Sequence, residues 1–117
     1  MNDAAFIAAL ESGSLPGEQM DHAAHLRLAL IFRGDPEKAR RVLLAYVQRV
    51  GALVKYNETL TLFWLRAVNA HQGDLAALLK TPLADKTLPL RHWSPGLLWS
   101  DAARAQWVEP DLRPLEF

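Results

Sequence analysis

Along most of the chain, apolar residues recur at spacings of three and four, the period of a helix that buries one stripe. Phe6, Ile7 and Leu10 form the first stripe, and Asn2 or Asp3 can cap it, so a short helix is expected through about Leu10. Ser12 to Gly17, rich in Ser, Gly and Pro, reads as a loop. A second helix is expected from Asp21, an acceptable cap, to Gly34, a residue that favours the position just past a helix end. Apolar residues surround it almost completely, which predicts a central, deeply buried element. Asp35-Pro36-Glu37 starts a third helix, with Leu43, Tyr46, Val47, Val50 and Val54 on its stripe and Arg40, Arg41, Gln48 and Arg49 mostly off it. Gly51 is expected to bend this helix or admit a close neighbour. The fourth runs from about Asn57 to His71, carries Leu60, Phe63, Trp64, Ala67 and Val68, and stops at Gly73.

Past Asp74 the pattern shortens. Asp74 to Lys80 fits a brief helix broken by Thr81-Pro82, and Leu88-Pro89-Leu90 is extended or turn-like because a residue before proline avoids the α region. Ser94-Pro95 and Ser100-Asp101 each open a further short helix. No alternating run is long enough for a strand. The expectation is one all-α domain, residues 1–117: a compact bundle of about four main helices with a proline-containing C-terminal wrap of short helices. Trp93, Trp99 and Trp107 should pack that wrap across the bundle, either covering helix ends or forming a lid over a pocket.

Composition narrows the function classes. Thirteen Lys plus Arg balance thirteen Asp plus Glu, with no block of one sign, so the basic stripe of a nucleic-acid binder is missing. Cysteine is absent, which leaves His, Asp and Glu as metal ligands and removes thiolate nucleophiles. No apolar run approaches the roughly 20 residues of a membrane span, and Arg27 and Arg66 interrupt the best candidates. A cytoplasmic protein without nucleic-acid or membrane partners is expected.

Two polar clusters interrupt otherwise apolar helices. His22 and His25, three apart, point the same way from the second helix, and Lys55-Tyr56-Asn57-Glu58-Thr59-Leu60-Thr61 opens the fourth. Burying such groups costs free energy unless each finds a partner, so together they form a satisfied structural network or a site. In the first functional reading His22 and His25 are bases or ligands, and Glu58, desolvated against Leu62 and Trp64, is an acid with a raised pKa. Tyr56, Asn57, Thr59 and Thr61 orient a small molecule, and His92 reaches in from the tail. In the second, His22, His25 and Glu58 hold a divalent ion such as zinc or iron, with Asn57, Asp21 and His92 as weaker third ligands. Lys55 is a candidate anion contact. In the structural reading the same groups cap the fourth helix and bond to the His pair. His71 suits the negative end of its helix.

The segments His22-Ala-Ala-His25-Leu26-Arg27, Lys55 to Thr61, Ser94 to Ser100 and Pro110 to Leu115 together resemble a family of short, uncharacterised bacterial proteins. The resemblance implies an all-α fold and a site at the clusters, and it carries no activity. Histidine is common among such proteins where this chain has Asn57, so a site of three imidazoles is incomplete here. The leading expectation is a helical domain whose polar pocket, between the second and fourth helices, binds a small molecule with acid–base or metal-assisted chemistry. The alternatives are a non-catalytic interaction or homodimerisation module, using Leu43, Tyr46 and Val50 or the tail tryptophans, and an accessory protein of a larger enzyme.

Overall fold

A computed structural model describes all residues, 1–117, and is entirely helical. The four longer helices are α1 (Asp3–Ser12), α2 (His22–Ile31), α3 (Pro36–Arg49) and α4 (Glu58–Asn69). Three single-turn helices follow, α5 (Leu75–Leu78), α6 (Pro95–Leu98) and α7 (Asp101–Ala105), with 3₁₀ turns between them. Every helix starts on a side chain that accepts an orphan backbone N–H: Asn2, Asp21, Asp35, Asn57, Asp74, Ser94 and Ser100. The starts were therefore readable from sequence.

α2 and α4 form the inner pair, with α3 packed on both, α1 outside α3, and α7 against the other side of α4. Burial follows the stripes: Phe6 and Leu10 on α1, Leu26 and Leu28 on α2, Leu43 and Tyr46 on α3, Phe63, Ala67 and Val68 on α4. The tail is part of this core. Trp93 is fully buried, meets Phe63 and Trp107 edge-on, and donates its indole N–H to the Val108 carbonyl.

Three expectations need correction. α3 stops at Arg49, because Gly51 takes a left-handed φ of 71° and the chain turns into a 3₁₀ turn over Leu53–Lys55. Val54 thus leaves the stripe and is 77% exposed. The proposed dimer face on α3 is mostly core, since Leu43 and Tyr46 are buried and only Val50 is exposed. Of the tail tryptophans, Trp99 alone is exposed.

No helix is long and apolar enough to cross a membrane.

Candidate functional site

α2, α3, the start of α4 and the turns leading into α2 and α4 line an open-sided cavity of ≈ 390 Å³, within the range of small-molecule sites. Thirteen of its nineteen lining residues are hydrophobic. The buried ones, among them Leu28, Leu43, Tyr46 and Leu65, mark its floor. The exposed ones, Gly17, Val50 and Lys55, mark its mouth. His22, His25, Tyr56, Asn57 and Thr61 all line it, so the His pair and part of the second polar cluster share one hollow.

His25 is an unengaged group in that wall. Three other ring contacts to carbonyls exist, at His22, His71 and His92, but no hydrogen bond joins the His25 imidazole to the chain. Its ring borders the cavity, where a ligand or water can reach it. Burial among apolar side chains, reinforced by neighbouring His22 and opposed by Asp21, lowers its pKa to about 4. At neutral pH it is an uncharged imidazole with one donor and one acceptor.

His22 is half committed. Its Nε2–H donates to the Leu83 carbonyl at 2.8 Å, which ties the turn after α5 to the start of α2. The ring packs edge-on to Trp64, centroids 4.5 Å apart. That bond specifies the Nε2–H tautomer and leaves Nδ1 as the acceptor of the neutral ring.

Glu58 overturns its expected role. It does not line the cavity; Arg40 grips it through Nε to Oε1 at 2.8 Å and Nη2 to Oε2 at 2.7 Å, and the Tyr56 hydroxyl donates to Oε1 at 2.7 Å. The Arg40 bonds outweigh desolvation and hold its pKa below the ordinary carboxylate value, the reverse of a neutral acid waiting to donate. Desolvation, with the Glu58 bond, pushes the Tyr56 phenol up to about 12, so it stays protonated.

The ion site fails for the same reason. With Glu58 turned to Arg40 and His22 Nε2 engaged, His22, His25 and Glu58 do not converge. Nowhere do three His, Asp or Glu side chains sit closely enough to hold a metal ion. Asp21 is spent capping α2.

Asn57 lines the cavity but has both ends occupied: Oδ1 accepts the Leu60 N–H, and Nδ2 donates to the Leu98 carbonyl at 2.8 Å. Thr59 points away from the cavity into the tail, its hydroxyl placed between the carbonyls of Ala103 and Gln106. His92 is buried elsewhere, its Nδ1–H donating to the Arg113 carbonyl beside Phe63. No residue beyond Leu65 lines the cavity, so the tail is a strap across α4 and not a lid.

The apolar lining was hidden in sequence because Leu28, Ala29, Ala39, Leu43 and Leu65 look like any core residues. The chain matches no protein-family model, no curated protein and no solved structure, so its site is read from its own geometry.

Proposed function

We propose that this chain is a binding domain for a small, mainly apolar molecule held between α2, α3 and α4. One observation carries the reading: an imidazole without an internal partner, His25, borders a mostly apolar cavity of ligand size. The neutral ring supplies one directed hydrogen bond, and the Thr61 and His22 side chains supply further polar lining. With its pKa lowered to about 4, His25 is uncharged at neutral pH and suited to a neutral hydrogen-bonding contact with a ligand. The reading takes the chain as a cytoplasmic protein, as its sequence leads one to expect.

The test is thermal melting with a panel of apolar fragments carrying one hydrogen-bonding group, on the wild type, Val47→Trp and Leu60→Trp. Both substitutions fill the cavity from its wall. Ligand binding at about 100 times Kd stabilises by about 2.7 kcal/mol, a shift of roughly ten degrees for a domain of this size. Shifts in the wild type that disappear in both filled variants support the site. No shift with any fragment, or equal shifts in all three proteins, removes it.

A second reading, an interaction module, draws on Leu53 and Val54, which are 50% and 77% exposed on the α3–α4 connection. Light scattering tests it: a dimer dispersed by Leu53→Ser together with Val54→Ser supports it, and a monomer at high concentration opposes self-association.

A further inference from the structure

Fixed charge in the cavity lining itself is one-sided, with the Asp21 and Glu18 carboxylates outside it but close enough to act on His25 and Tyr46. Lys55 is the only lining residue with a permanent charge, and no carboxylate lines the wall. It is exposed in the 3₁₀ turn at the mouth and belongs to none of the three ion pairs, which join Arg27 to Asp3 and Arg40 to Glu37 and Glu58. Glu58, three residues on, is taken by Arg40 and Tyr56. Glu18, next to Gly17, is exposed and outside the lining.

We propose that the ligand of this cavity is an amphipathic monoanion. Its apolar body enters among Leu28, Leu43, Leu60, Trp64 and Leu65, and a carboxylate or like anion stays at the mouth against the Lys55 ammonium. The inference rests on the binding reading above and narrows it. Burial of the apolar body supplies most of the affinity. The anion remains at the water's edge because desolvating a charge against the apolar floor costs far more than one exposed ion pair returns. Lys55 suits this position, since its stem can lie along the apolar rim beside Val50 while its ammonium stays hydrated.

Calorimetric titration with octanoate, 1-octanol and octylammonium tests it, on the wild type, Lys55→Met and Lys55→Glu, at low and high salt. The three probes share one apolar body and differ in charge. Octanoate is expected to bind the wild type roughly five- to twentyfold more tightly than octylammonium, by attraction in one case and repulsion in the other. Lys55→Met weakens octanoate roughly two- to fivefold and removes most of its salt dependence, while octanol stays within about twofold. Lys55→Glu inverts the order of octanoate and octylammonium. If octanol binds but octanoate gains nothing over octylammonium, or Lys55→Met leaves octanoate unchanged, the anion proposal is overturned and the cavity stands. If none of the three binds, the cavity reading falls with it.

Discussion

Arg40 and Glu58, eighteen residues apart, are joined by two parallel hydrogen bonds of 2.8 and 2.7 Å on the flank of the α3–α4 packing. A carboxylate held in this way stays charged and keeps its fork of acceptors occupied. The pair therefore clamps α3 to the start of α4, where Tyr56, Asn57 and Thr61 enter the cavity wall, and takes no part in chemistry inside.

Breaking the clamp should be visible in stability. Arg40→Met leaves a half-buried carboxylate with only the Tyr56 hydroxyl, and should cost on the order of 1–3 kcal/mol in urea unfolding. The pH dependence has a definite sign. The folded pKa of Glu58 lies below its ordinary value of 4.5, so the pair's contribution is complete above that value. It is lost as pH falls through the folded value. The stability gap between wild type and Glu58→Gln should be flat above about pH 5 and close below about pH 4.5.

His25 acts in a different window. Its folded pKa, about 4, lies below the 6.5 of the free ring, so the unfolded chain takes up the proton first as pH falls. Stability should decline between pH 6.5 and 4 by on the order of 2–3 kcal/mol, and His25→Leu should abolish that part of the profile. Proton NMR of the ring should show it still mostly neutral at about pH 5, with its titration midpoint at about 4.

Asn57→Ala removes a helix cap and strands the Leu98 carbonyl, together about 2–4 kcal/mol. Asn57→Asp restores the cap but sets a carboxylate against that carbonyl. Chemical denaturation should find it well short of wild type; full rescue by Asp would show that the Leu98 bond contributes nothing.

Thr59→Val should loosen the tail and spare the cavity. The hydroxyl is fully buried between two carbonyls, and the Val108 N–H approaches it at 3.3 Å. Its loss should cost about 1–3 kcal/mol and raise hydrogen exchange at Val108 and Arg104, with ligand affinity unchanged.

Much of this was legible because it is local. Caps, stripes and the three-residue spacing of His22 and His25 are properties of one helix, and they put both imidazoles on one side of α2. Partners distant in sequence were not legible. Nothing near Glu58 announces Arg40 as its partner, nothing near Thr59 announces Ala103, and Leu83 reaches His22 across sixty-one positions. Gly51 shows the same limit at shorter range. One glycine can bend a helix or end it, and only its positive φ decides.

The most direct test of the cavity as a binding site is a methyl and imidazole NMR titration with octanol. Saturating shifts are expected at the Met20, Leu43 and Leu60 methyls and the His25 ring, with the Leu112 and Leu115 methyls of the tail unmoved. Shifts confined to the tail or spread weakly over the surface, with His25 silent, would contradict binding at the cavity.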